Sequence, residues 1–184
     1  MIKQATKNNI ENISTLIYDA IHNVANTLTG ENEDKKILET LDYYVNMDIC
    51  RLSYNNIYTY EIDNKTVGIL LAYNSNDVEK LDKPMLEHIK SKDIFLDSFE
   101  KECFKDEFYI DTVSVNSNFQ GRGIAKELFS FATKKAKEQG FKKLSLLVDF
   151  ENPKAKVLYE KLGFQDNVVL KVSGSQFHHM IKLL

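Results

Sequence analysis

The chain has 184 residues, 43% hydrophobic and 28% charged, with a formal net charge of -3. That balance suits one globular domain, and with only two prolines and seven glycines it excludes collagen-like, linker-like and Pro-rich disordered classes. No apolar run is long enough to cross a bilayer, and the opening residues lack the apolar core of a secretory signal. Cys50 and Cys103 lie far apart with no CxxC partner, which excludes a disulfide scaffold and a thiolate zinc site and suits a reducing cytoplasm.

The charge is unevenly spread. Residues 1–73 carry six Lys/Arg against ten Asp/Glu, and residues 74–107 carry the same six against ten. Residues 120–184 reverse this, with twelve against six. A basic C-terminal third suits a phosphate-rich ligand, and the acidic remainder attracts cations. Non-specific nucleic-acid binding is disfavoured, because it calls for a basic domain.

In chain order, residues 2–6 allow a first strand. Residues 8–27 place Ile10, Ile13, Leu16, Ile17, Ala20, Ile21 and Val24 at helical spacing, and residues 33–48 repeat the pattern. Residues 58–62 and 66–73 flank Asp63-Asn64-Lys65 and predict a β-hairpin. Residues 74–107 form an acidic insertion with helices expected at 84–91 and 93–104. Residues 108–115 are strand-like, and 116–120 form a polar turn. A helix follows over 123–139, with Gly140 placed to end it. Residues 144–148 predict a short buried strand. Asn152-Pro153 opens another helix, with Asn as N-cap and Pro in the first turn. Strands at 168–172 and 177–183 close the chain around Ser173-Gly174-Ser175. The order is α/β in the middle with an antiparallel hairpin at each end.

The stretch Gln120-Gly121-Arg122-Gly123-Ile124-Ala125 joins a strand to a helix. Backbone N–H groups at a helix start are unpaired, and the macrodipole adds positive potential there. Two glycines let a large anion approach, so a pyrophosphate is the natural ligand. No Gly-Lys-Ser/Thr follows, so this is not a Walker loop, and Lys126 stands where a dinucleotide fingerprint needs its third glycine. A strand-to-helix turn that merely needs glycines is the plainer alternative.

Gln120, Gly123 and Ala125 fill the Gln/Arg-x-x-Gly-x-Gly/Ala pattern, and the chain here resembles the GNAT superfamily of N-acyltransferases, in which this pattern binds acetyl-CoA. Asn152-Pro153-Lys154-Ala155 and Leu158-Tyr159-Glu160-Lys161-Leu162-Gly163-Phe164 look like the family's second hallmark. The resemblance implies an α/β (α+β) fold over residues 1–184. Its central sheet would be mixed, mostly antiparallel and splayed at its middle, flanked by helices and carrying the acidic insertion at 74–107.

The resemblance also implies acetyl-CoA as cosubstrate and places its contacts. Val113, Ser114 and Val115 would pair through their backbone with the pantetheine arm, and their N–H groups would stabilise an oxyanion. Gln120, Gly121, Arg122, Gly123, Ile124, Ala125 and Lys126 would surround the pyrophosphate, with Lys156 adding charge. Asn152 and Ala155 would lie beside pantetheine, although simple N-capping also explains Asn152. Tyr159 would stand near the sulfur and protonate the departing thiolate, or serve only as a core aromatic.

Asp111, four residues before Val115, is expected on the same strand face as Val113 and Val115. It is the candidate base, with a substrate-ammonium anchor or a structural carboxylate as alternatives. Tyr109 is an alternative base by position. His178 and His179 are adjacent in a strand, face opposite sides and do not share a metal, so no metal site is expected. The resulting expectation is acetyl transfer to a primary amine on a cationic small molecule, with no nucleic-acid or membrane partner. It leaves room for a homodimer. A non-catalytic acyl-CoA-binding module and a protein N-acetyltransferase are the alternatives.

Overall fold

A computed structural model describes residues 1–184. Seven strands form one sheet in the order β1-β2-β3-β4-β5-β7-β6. They are β1 (Ile2–Gln4), β2 (Ile57–Ile62), β3 (Lys65–Asn74), β4 (Phe108–Val115), β5 (Lys143–Asp149), β6 (Gln165–Val172) and β7 (Ser175–Leu183). Only β4 and β5 pair in parallel. Six helices flank the sheet: α1 (Ile13–Ile21), α2 (Val24–Thr29), α3 (Asp34–Asn46), α4 (Val78–Lys90), α5 (Ile124–Glu138) and α6 (Pro153–Lys161).

The alternation of strand side chains divides the core between two faces. Ile69, Leu71, Tyr73 and Tyr109 pack with α1, α2 and α3 through Ile13, Ile17, Leu28, Leu41 and Tyr44. Leu70, Ala72, Phe108, Ile110, Leu144 and Leu146 pack on the other face with Ile124, Leu128 and Ala132 of α5. Tyr44 is sealed in the first layer, and its hydroxyl donates to the Leu28 carbonyl at 3.1 Å, which satisfies the polar end of a buried aromatic.

Three helical expectations change. The helix expected over 8–27 is split, because His22 adopts φ 43° and closes α1 by donating its N–H to the Tyr18 carbonyl. The helix expected at 84–91 starts earlier, at Val78, and carries Pro84 inside it. The helix expected at 93–104 does not form. Asp93 turns into the left-handed region at φ 60°, and residues 91–107 run as an irregular strap. Its polar groups find partners outside any helix: Lys92 reaches the Thr29 carbonyl and Glu31, both at 2.8 Å, and the Ser173 N–H donates to Glu100. The strap is thereby fastened to α2 at one point and to the β6–β7 turn at another.

Candidate active site

The parallel pair β4–β5 is short. Phe108, Tyr109 and Ile110 face Leu144, Ser145 and Leu146, and no pairing continues beyond them. β4 from Asp111 onward keeps only β3 as a neighbour, and β5 from Leu147 onward keeps only β7. The peptide groups of 111–115 that point away from β3 therefore open onto a gap in the sheet. An extended chain bearing amides can bond there as an added strand.

β4 also carries an irregularity. Leu71 pairs with Thr112 and Ala72 with Ile110, so Asp111 is the extra residue of a bulge. The alternation is reset across it. Val113 and Val115 pack on the α5 face, whereas Asp111 meets Tyr73 on the α1–α3 face. The expectation that Asp111 shares a face with Val113 and Val115 is thus overturned by one inserted residue. Ser114 is buried between its neighbours.

At the far end of β4, Gly121 and Gly123 sit at φ 75° and 82°, where L side chains are strained. A side chain built at either would meet nothing within 4 Å, so the space in front of the loop is open. None of the backbone N–H groups of residues 121–126 has an acceptor within the chain. Six consecutive donors at the start of a 15-residue helix make an anion site, reinforced by the helix dipole. Arg122 and Lys126 are exposed beside it; the Arg122 guanidinium lies over Phe119 and donates to the Asn118 carbonyl at 3.2 Å. Gln120 donates to the Val115 carbonyl at 3.1 Å, tying the loop to β4. Ile124 is buried, and Ala125 is half-buried behind the loop.

The start of α6 supplies the other wall. Asn152 Oδ1 accepts from the Ala155 N–H at 3.1 Å, so it caps the helix. Lys156 is held by Glu160 at 2.6 Å and Asp166 at 2.8 Å, which directs its charge to carboxylates of this chain. Tyr159 packs edge-on against Phe129 and Phe164 on the α5 face. Burial raises its pKa, keeping the phenol protonated at neutral pH. Its hydroxyl makes no hydrogen bond within the chain, and the residue is half-buried, which leaves the hydroxyl free to donate.

The opposite face holds a buried polar cluster. Arg51 grips Asp82 with two bonds of 2.7 and 2.9 Å, and its third donor meets Glu102 at 2.6 Å. The other oxygen of Glu102 accepts from the Tyr109 hydroxyl at 2.8 Å. Asp111 accepts from the Tyr73 hydroxyl at 2.7 Å and from Thr112 at 2.9 Å. Burial and the nearby Glu102 charge push Asp111 up to about 6, against the opposing pull of Arg51. Arg51, Tyr73, Asp82 and Glu102 form the floor of a cavity of about 1090 Å³ between α4 and the strap.

Next to it, His179 is fully buried and lies 3.1 Å from Glu107, with Asn167 3.2 Å from its other ring nitrogen. Burial pushes Glu107 upward, but the bonds from His179 and the Phe104 N–H outweigh it and hold the carboxyl below its ordinary value. Phe104 of the strap stacks edge-on against the His179 ring. Arg51, Tyr73, Asp82, Glu102 and Glu107 had no signal in the sequence, because the bonds that join them into clusters span 31 to 72 residues. The two cysteines are buried, and burial pushes both thiols up to about 12, so they are inert packing groups.

Comparison with known proteins places this geometry. The sequence model of the acetyltransferase (GNAT) family matches residues 19–164. A solved acetyltransferase structure is 31% identical and similar over 100% of this chain and 98% of that one, with a TM-score of 0.77. The N-acetyltransferase from Staphylococcus aureus Mu50 is 28% identical over 98% of this chain and 99% of its own, with a TM-score of 0.80. The uncharacterized N-acetyltransferase YycN of Bacillus subtilis (strain 168) is 34% identical over 71 residues, 39% of this chain and 46% of that protein. The chain thus spans about half the length of that curated relative.

Proposed function

This chain belongs to the GNAT acetyltransferase family, and on that premise we propose that it moves the acetyl group of acetyl-CoA directly to a primary amine on a cationic small molecule. The observation that carries the reading is the run of six unpartnered N–H groups at 121–126, standing beside a gap that opens between β4 and β5. A diphosphate fits the first, and an amide-bearing arm fits the second.

In this reading Gln120, Gly121, Gly123, Ile124 and Ala125 shape the phosphate cradle, and Arg122 and Lys126 add charge at its rim. Val113, Ser114 and Val115 offer backbone groups to the arm, and Asn152 and Ala155 border it. Lys156 contributes only by exchanging a carboxylate of its own chain for a phosphate. Acetyl-CoA supplies an activated thioester, and the residues of this chain handle the protons. Tyr159 gives its proton to the departing sulfur. Asp111 takes the proton of the incoming ammonium. Deprotonating an alkylamine of pKa about 10.4 at neutral pH costs about 4–5 kcal/mol, so a base is needed.

The two groups act from opposite faces. The donor approaches past α5 and α6, and the amine approaches through the cavity under the strap. The cavity is lined by seven carboxylates against four lysines and Arg51, and the buried Arg51 cluster adds Asp111, a balance that favours a cationic acceptor. The test is thiol release from acetyl-CoA against a panel of amines, with the product identified by mass. Cationic amines are expected to turn over. Turnover of neutral amino acids alone contradicts the cationic acceptor, and tight acetyl-CoA binding without turnover supports a non-catalytic binding module.

A further inference from the structure

We propose that Tyr73 is a catalytic residue that relays the proton of the incoming amine to Asp111, in a cluster where Arg51 makes its short bonds to Asp82 and Glu102 and leaves Asp111 as the carboxylate farthest from the shared guanidinium. The inference deepens the acetyl-transfer reading and rests on it.

Position is the first argument. Tyr73, 4% exposed, lies on the cavity wall, whereas Asp111 does not line the cavity. The Tyr73 hydroxyl donates to Asp111 Oδ2 at 2.7 Å. The other Asp111 oxygen is occupied by Thr112 at 2.9 Å. An amine arriving from the cavity therefore meets the Tyr73 oxygen before it can meet the carboxylate. A phenol can accept with its oxygen while it donates with its hydrogen, which is what a relay needs.

Charge is the second argument. Arg51 is 3% exposed and makes its short bonds to Asp82 and Glu102, at 2.6 to 2.9 Å. Asp111 is left at 4.0 Å from the same guanidinium. A buried carboxylate in excess of its counter-charge gains by taking up a proton. An approaching ammonium supplies both the missing positive charge and that proton.

The step balances as one proton moved over two bonds. An ammonium N–H bond breaks and its proton goes to Tyr73 Oη, while the Tyr73 O–H bond breaks and that proton goes to Asp111 Oδ2. The electron pair stays on nitrogen, Tyr73 ends as a phenol again, and Asp111 ends neutral. Asp111 returns the proton to solvent by the reverse path after the product leaves. Burial pushes the Tyr73 hydroxyl well up, so Tyr73 conducts the proton and does not hold it.

The pH window follows from what faces Asp111. Arg51 and Cys50 approach from the segment after α3, Asp82 from α4, Glu102 and Cys103 from the strap, Tyr73 from β3 and Tyr109 from β4. With Asp111 near 6, the relay works above that pH and is lost as pH falls through it.

The test follows acetyl transfer to spermidine, 1,5-diaminopentane and a lysine-bearing peptide from pH 5 to pH 9. The proteins are the wild type, Tyr73→Phe, Asp111→Asn and the double variant, with acetyl-CoA affinity and thermal midpoint measured alongside. The wild-type kcat is expected to rise through pH 6 to a plateau. Tyr73→Phe is expected to lose about 100-fold in kcat with acetyl-CoA affinity unchanged. Its residual rate should climb tenfold per pH unit without a plateau, following the free amine alone. Asp111→Asn should match it, and the double variant should be no worse than Asp111→Asn.

A Tyr73→Phe rate within about threefold of wild type overturns the relay while leaving acetyl transfer intact. So does a loss equal at every pH. If Tyr73→Phe alone does not fold, the double variant, which leaves no buried unpaired carboxylate, carries the comparison, and a further tenfold drop below Asp111→Asn overturns the relay. A wild type that binds acetyl-CoA and acetylates none of the three amines overturns the transfer reading and the relay together.

Discussion

Asp111 and Val113 are two residues apart in β4 and face opposite sides of the sheet. A regular strand would put them on one side. The bulge between Ile110 and Thr112 turns the carboxylate toward Tyr73 and Arg51, and leaves Val113 and Val115 toward α5. One extra residue thereby separates the face of Asp111, the proposed base, from the face of Tyr159 and the proposed phosphate loop, with the β4–β5 gap between them.

The free hydroxyl of Tyr159 leads to the first prediction. Tyr159→Phe keeps the ring that packs on Phe129 and Phe164 and removes only the proton. Turnover is expected to fall about 100-fold, with acetyl-CoA affinity unchanged within about twofold. Steady-state kinetics beside calorimetric titration checks it, and an unchanged kcat removes the acid role.

The open space in front of Gly123 leads to the second. A side chain there meets no atom within 4 Å, so the fold tolerates one apart from about 1–2 kcal/mol of left-handed strain. Gly123→Glu places a negative charge on the anion site and is expected to abolish acetyl-CoA binding in a folded protein. Titration calorimetry, with circular dichroism to establish folding, reads both halves.

The third concerns Arg51. Arg51→Met strands Asp82 and Glu102 in the interior without their cation. The loss is expected to be about 3–5 kcal/mol. It should be larger at pH 8 than at pH 5, since stranded carboxylates recover by protonating. Urea unfolding at the two pH values measures it, and equal losses at both contradict the charge argument.

Asp111 itself leads to the fourth. Its folded value near 6 lies above the ordinary 3.8, so the folded chain binds this proton more tightly than the unfolded one. The associated stability is fully present below pH 3.8 and is lost as pH rises through 6. Asp111→Asn should remove that loss. Between pH 5 and pH 8 the wild type is expected to weaken relative to the variant by on the order of 1–2 kcal/mol, read from urea midpoints. A variant that is less active and yet more tolerant of alkaline pH is the expected signature of a carboxylate kept for its chemistry.

Much of the geometry of the candidate donor side was legible in the sequence because its features are local. Gly121 to Ala125 present the backbone N–H groups of one turn, Gln120 ties that turn to β4 by its side chain, and Asn152 caps the residue three places on. The acceptor side was not, because it is assembled across the chain. Arg51 meets Asp82 and Glu102, 31 and 51 residues away, and Glu107 meets His179 over 72. The facing of Asp111 was missed because a bulge leaves no mark in residue spacing. The strap misled for a different reason. Ile94, Phe95 and Leu96 suggested a helix face, but all three are exposed, and Asp93, in the turn after α4, adopts the left-handed conformation just before them. The ion pair of Lys156 with Asp166, on a strand formed later in the chain and 2.8 Å away, was likewise invisible in the local spacing.

The free N–H groups at the start of α5 are what would hold acetyl-CoA on this chain. The most direct measurement is a titration of ¹⁵N-labelled protein with acetyl-CoA, following each backbone amide. The amides of residues 121–126 are expected to show the largest shifts, with those of 113–115 next. Saturable binding that leaves 121–126 unmoved would contradict it.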